Sequence, residues 1–453
     1  MKAKWLPLAA GVALAAGSVA ASATDIHGYF RAGAQASFSK GEVLCLGNGS
    51  RGHKVGRLGD ECDTYAELAF GQDIYNKNNT KFDVHALVAY GSPEAGDSDP
   101  QLDRQGNDWQ GEGGVGPWSG QRMSVRELWS GYTPAEGYTI WAGKRFYKRK
   151  DIHILDLYYL NDSGYGTGIE DIDVGLGKAS LAVMKSAVDG NGDNYWRNVY
   201  KLDARWDAIP VGFGTLDASL IYAFPSVSKY QNEYKGNNDS RGGQQDSGVL
   251  LTLDHASNLN GDSYGLMNHL IFQFGTNGFS YVGAFKNHAG GNYTPDVDAQ
   301  GIRLIDWGTF DMGNFGLGYS LLWAHLNSGD KHGANGNAAW TYTRSGWEWS
   351  IVLRPEYKWT EYTRTTLELG LSQMKTTGWV TDPSIKDPEV HKITLAQQFT
   401  PGKGFWQRPA IRFYVSYVGG DQFADSWNTN YKSWNKKHHN FQYTFGSQVE
   451  AWW

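Results

Sequence analysis

The segment FQYTFGSQVEAWW, residues 441 to 453, alternates along its whole length. Phe441, Tyr443, Phe445, Ser447, Val449, Ala451 and Trp453 make one set, apolar apart from a serine; Gln442, Thr444, Gly446, Gln448, Glu450 and Trp452 make the other, polar until its last residue. Successive side chains of a strand point to opposite faces, so a period of two held this long specifies a strand with one apolar face and excludes a helix. Such a strand is longer than the usual five or six residues, and near the 9 to 11 that a tilted strand needs to cross a bilayer.

The pattern recurs. Ile411, Phe413, Val415 and Tyr417 alternate with Arg412, Tyr414 and Ser416, and Trp347, Trp349, Ile351 and Leu353 with Glu348, Ser350 and Arg354. Phe315, Leu317, Tyr319, Leu321 and Trp323 repeat it, and Leu216, Ala218, Leu220 and Tyr222 begin another run. Some connections are short and turn-like, as at 133–137 and Asp207-Ala208-Ile209-Pro210; others are long, polar and rich in Gly, Asn and Asp, as at 91–120, 226–246, 325–338 and 419–438. Short turns at one end and long loops at the other are the asymmetry of an outer-membrane barrel, and at roughly 24 residues per strand with its connection about 18 strands fit. A secreted β-sandwich or propeller would also alternate, but with shorter strands and exposed edges to protect. In lipid only a closed barrel lets sheet backbone satisfy its hydrogen bonds. The pattern therefore favours an all-β, antiparallel transmembrane barrel.

The first 23 residues, MKAKWLPLAAGVALAAGSVAASA, carry two lysines, a small apolar stretch and Ala21-Ser22-Ala23. They read as a secretory signal peptide, leaving 24–453 as one domain. Beyond it no run of 18 apolar residues occurs, which excludes a helical membrane protein. Acidic residues outnumber basic ones, 47 to 41, and nothing points to nucleic acid. In an exported chain the two cysteines, Cys45 and Cys62, favour one disulfide that closes a loop. A zinc site would need more ligands than the nearby His53 supplies, and no cofactor or metal is expected.

Candidate sites are the residues that break the polarity of the inner face. Trp452 shares its face with Gln448 and Glu450. In a wet lumen its ring is a stacking platform for the apolar face of a pyranose; at the rim it is an interfacial belt residue. Residues 140–160, IWAGKRFYKRKDIHILDLYYL, gather Lys144, Arg145, Lys148, Arg149, Lys150, Asp151, His153 and Asp156 with Phe146, Tyr147, Tyr158 and Tyr159. Parity is lost by Asp151, which places the second half on a loop. That loop reads either as a salt-bridged external loop or as donors and acceptors for neutral polyols. Nucleophile elbow, phosphate loop and zincin motifs are absent from the sequence. Asp189-Gly190-Asn191-Gly192-Asp193-Asn194 opens like a calcium loop, but Asn194 and Tyr200 stand where Gly and Glu are needed, so it reads as a turn.

These residues resemble the maltoporin family of sugar-specific outer-membrane porins. The likeness runs through DIHGYFRAG, GRLGDECDTYAELAFGQ, IWAGKRFYKRKDIHILDLYY, GIEDIDVGLG, KITLAQQF, WQRPAIR and EAWW, with divergent long loops. It implies an 18-stranded antiparallel barrel assembled as a homotrimer, its third loop folded inward, passing maltooligosaccharides along an aromatic slide beside an ionic track. By motif the slide is Tyr29, Tyr65, Trp406 and Trp452, with Trp109 the looser match to a loop tryptophan that reaches a neighbouring subunit's pore. The track is Arg31, Arg57, Glu67, Arg126, Arg149, Asp151 and Asp156; His153 and Tyr158 form the constriction. The resemblance also makes Cys45 and Cys62 the first-loop disulfide. Arg149 and Tyr158 follow the maltose type rather than the wider sucrose type. Leu266 stands where the family slide has a phenylalanine, and Asn161 where it has an acid. The last external loop differs, so no phage-receptor role is carried over. Two readings stand beside this one: a porin for another glucoside, and a secreted β-rich glycan-binding or hydrolytic protein.

Overall fold

The computed structural model describes residues 24–38, 54–61, 63–93, 109–110, 122–187, 197–227, 247–260, 264–283, 299–327, 346–376, 389–420 and 441–453. Its strands in chain order are β1 (Asp25–Ser37), β2 (Asp63–Lys77), β3 (Thr80–Pro93), β4 (Trp109–Gln110), β5 (Arg122–Thr133), β6 (Thr139–Ile152), β7 (Leu157–Asp173), β8 (Lys178–Ala187), β9 (Arg197–Val211) and β10 (Gly214–Val227). They continue with β11 (Gly248–Asn260), β12 (Tyr264–Thr276), β13 (Gln300–Met312), β14 (Phe315–Asn327), β15 (Gly346–Lys358), β16 (Thr363–Thr376), β17 (Glu389–Phe399), β18 (Ala410–Gly419) and β19 (Phe441–Trp452). Each long strand pairs antiparallel with its sequence neighbours, while the two-residue β4 only adds to one end of β5. β1 pairs with both β2 and β19, so eighteen long strands close into a barrel.

Alternation sorts every strand into an outer and an inner face. On β13, Leu304 is 44% exposed while its neighbours Arg303 and Ile305 are buried. Outward Leu, Ile, Phe, Trp and Tyr form the apolar coat that lipid requires. A carboxylate also faces outward: Asp306, on the parity of Leu304, accepts hydrogen bonds from Asn268 (2.6 Å) and Tyr319 (3.3 Å). The chain end completes the wall, because Trp453 exchanges backbone hydrogen bonds with Gly28 in both directions. The Trp453 ring is 57% exposed on the outer face and meets Phe30 edge-on. A Cβ at Gly28 would fall within that ring, so any larger side chain there would have to displace it.

Three segments pack against the inner face. The tip of the β6–β7 hairpin is a 3₁₀ turn, His153–Leu155, ended by Asp156 in a left-handed conformation (φ 49°). Ile152, Ile154, Leu155, Leu157, Tyr159 and Leu160 bury themselves against Val199, Ile221, Leu250, Ile271, Ile305, Leu322 and Val352. Those seven inward side chains come one each from β9 to β15, an apolar seat that a purely water-lined face would not carry. Phe279 and Val282, on the 3₁₀ segment Asn277–Gly283, join the same cluster. Residues 54–60 lie along β15 to β18: Lys54 pairs with Glu348 (2.8 Å), the Leu58 N–H donates to Glu368 (3.0 Å), and Lys392 donates to Gly56 O (2.5 Å) and Leu58 O (2.9 Å).

Three sequence expectations are corrected. The second half of 140–160 is no free loop: β6 runs on to Ile152 and pairs with Leu157, its parity broken by irregularities between Tyr147, Lys150 and Ile152, with Lys148 at φ 42°. Asp207-Ala208-Ile209-Pro210 lies inside β9, bulged at Ala208 (φ 58°), and the turn comes at Gly212-Phe213. Leu266, paired with Leu259 and Phe310, is on the outer face, so it holds no slide position; the inward neighbour is Met267, packed against the apolar cluster. Cys45, Cys62 and the 189–194 stretch lie outside the described residues.

Candidate functional site

The β1–β19 register sets Tyr29 directly opposite Trp452, and the β1–β2 register sets Tyr65 opposite Arg31, all on the inner face. The rings of Tyr29 and Tyr65 stand 6.2 Å apart, tilted by 54°. Trp406 arrives from the β17–β18 turn, and both it and Trp452 meet the His153 ring nearly edge-on, at 5.5 and 5.3 Å. Four of the expected aromatics therefore follow one another along a single stretch of inner wall. Trp109 is apart from them: its backbone pairs with Met123, and its side chain lies outside the described residues.

Charged groups flank that row. Arg31 binds Glu61 (3.0 Å) and Asp156 (3.4 Å) and sits 5.2 Å from the Tyr65 ring. Arg57 pairs with Glu61, reaches Glu450 at 3.3 Å and donates to the Tyr29 hydroxyl at 3.0 Å. The Tyr65 hydroxyl donates to Glu67. Arg149 lies between Phe146 (4.1 Å) and Tyr158 (4.5 Å), a cation sandwiched by two rings. Among the described residues Arg149 and Asp151 make no side-chain hydrogen bond, which leaves their polar atoms for water or a solute. Arg126 is the extra residue of a bulge between β3 and β5, which turns both it and Glu127 inward; its Nε and Nη2 are buried without a hydrogen-bond partner among the described residues.

His153 ties the two groups together. Arg57 Nη1 donates to Nδ1 at 3.2 Å, while Nε2 lies 3.1 Å from Glu450 and 3.4 Å from Arg408 Nη2. Glu450 was not singled out by motif, yet it also accepts from Tyr29 (3.2 Å), Arg408 (2.9 Å) and Arg412 (2.9 Å). Its parity with Trp452 was the available signal; nothing local announces five partners. Arg408, in the same WQRP motif as Trp406, was missed likewise. Burial alone would lower the Arg57 guanidinium, but Glu61, Tyr29 and Glu450 hold it above its ordinary value. At Arg408 burial wins, pushing the group down to about 9 against the pull of Glu450, so it remains charged at neutral pH.

Such an arrangement offers stacking faces for an apolar surface and adjacent hydrogen-bond donors and acceptors, without a nucleophile and base in catalytic contact. The profile of the LamB porin family matches residues 24–453. A maltoporin of Hahella chejuensis (strain KCTC 2396) is 34% identical over 453 residues, covering 99% of this chain and 98% of the relative. Among solved structures, OccAB1 of Acinetobacter baumannii superposes with a TM-score of 0.51 at 10% identity, covering 95% of this chain and 96% of that one, a likeness of fold alone.

Proposed function

Because the chain belongs to the LamB porin family, a family of non-enzymatic channels of the bacterial outer membrane, we propose that this sugar porin passes maltose and maltodextrins down their gradient. The supporting observation is the inner-wall row of Trp406, Trp452, Tyr29 and Tyr65 with Arg31, Arg57 and Glu450 alongside. Pyranose rings present apolar faces and a rim of hydroxyls, so rings on one side and charges on the other suit them. Contacts that are individually weak and repeated allow entry and exit, which conduction requires. The β6–β7 tip narrows the path, with Tyr158 and Arg149 at its edge. Residues 1–23 serve as the export signal, and three copies assemble.

Met267, facing inward without an aromatic ring, favours a second reading in which another glucoside is preferred. One experiment decides between them: single-channel recording of the purified barrel in a planar bilayer with a panel of sugars. The maltodextrin reading expects block that strengthens from maltose through longer linear glucans. Unchanged current noise with and without maltotriose would overturn it, and stronger block by another glucoside would establish the second reading.

A further inference from the structure

One face of Trp452 is already occupied. The Arg408 guanidinium carbon lies 4.1 Å from the centre of its ring. That guanidinium is held by hydrogen bonds from Nε to Glu450 (3.0 Å), from Nη1 to Gln407 O (3.0 Å) and from Nη2 to His153 Nε2 (3.4 Å), with Nη2 also 2.9 Å from the Glu450 carboxylate. Its side chain is only 4% exposed, so it does not meet a solute itself. Glu450 is the anchor, and the same carboxylate binds Tyr29, Arg57, His153 and Arg412. The ring's edge is set by His153.

We propose that Arg408 is a positioning residue for sugar recognition: fixed by Glu450, it caps one face of Trp452 and leaves a single face for a pyranose. The inference rests on the sugar path proposed above. A planar guanidinium suits the task because it can lie on a ring while its edge donates to a carboxylate, whereas the lysine ammonium is a compact point charge that cannot do both. An uncapped Trp452 would rotate among orientations, and each sugar that stacked on it would have to order the ring again.

The test is a double-mutant cycle in planar bilayers, reading maltotriose block in the parent, Arg408→Met, Trp452→Ala and their combination. Arg408→Met should raise the half-blocking concentration roughly 3- to 10-fold, the size of a lost cation–π contact, through faster sugar release. In the Trp452→Ala background the same change should add less than about twofold, because the coupling partner is gone. Arg408→Lys keeps the charge and should recover little, and it carries the test alone if Arg408→Met yields no folded barrel. An equal effect of Arg408→Met in both backgrounds, or unaltered block, overturns the inference. If Trp452→Ala by itself leaves block unaltered, the sugar path fails; if Trp452→Ala weakens block and Arg408→Met does not, only the role of Arg408 fails.

Discussion

Replacing Lys392 by methionine should loosen the lumen without opening the barrel. Lys392 and Glu368 are both fully buried and 3.1 Å apart, and the ammonium also holds the carbonyls of Gly56 and Leu58. Removing one partner of a buried pair costs about 3–5 kcal/mol. Here Glu368 keeps Arg354 (2.6 Å) and the Leu58 N–H (3.0 Å), so the lower end, about 3 kcal/mol, applies. Since about 1.4 kcal/mol is a factor of ten, release of residues 54–60 from the wall becomes roughly a hundredfold more frequent. Arg57 is on that segment, and with it go contacts to Tyr29, Glu450 and His153. Single-channel recording should show higher open-channel noise, larger mean conductance and weaker maltotriose block, and Lys392→Arg should restore much of the parental behaviour. Parental conductance, noise and block in Lys392→Met would refute the idea that this lysine holds the segment in place.

Tyr158→Ala should raise single-channel conductance, because the ring sandwiched with Arg149 at the hairpin tip is removed; an equal or smaller conductance would move Tyr158 off the constriction. Trp406→Ala should raise the half-blocking maltotriose concentration several-fold, about 1 kcal/mol of stacking, and unaltered block would take Trp406 out of the sugar path. Lys201→Met should lower the unfolding temperature seen by heat-modified gel mobility, since it strands Asp162 at zero exposure at a cost of about 3–5 kcal/mol; pairing it with Asp162→Leu should recover most of the loss. Gly28→Leu should reduce the yield of folded barrel on refolding into detergent, because its side chain needs the place of the Trp453 ring; undiminished yield would show that the contact is dispensable for closure.

How much was legible varied with distance along the chain. The strands of the C-terminal half follow from alternation alone, as at Phe441–Trp452, where a buried-or-lipid face must repeat every second residue. The β6–β7 tip was readable only as a dense charged motif. Its seat draws Val199, Ile221, Leu250, Ile271, Ile305, Leu322 and Val352 from seven strands, each an ordinary inward residue in its own strand. Leu266 was misplaced because a resemblance in sequence does not fix strand parity, whereas its pairing with Leu259 and Phe310 does.

The two terminal tryptophans show the division. Adjacent residues of a strand point to opposite faces, so the order of letters already required one ring outside and one inside. Trp453 needs little more, since lipid accepts it wherever the strand ends. What the inner ring does was decided by the fold. Glu450 gathers Tyr29, Arg57, His153, Arg408 and Arg412 from four separate stretches of chain, and a carboxylate two residues before Trp452 acquires those partners only when the barrel closes around it.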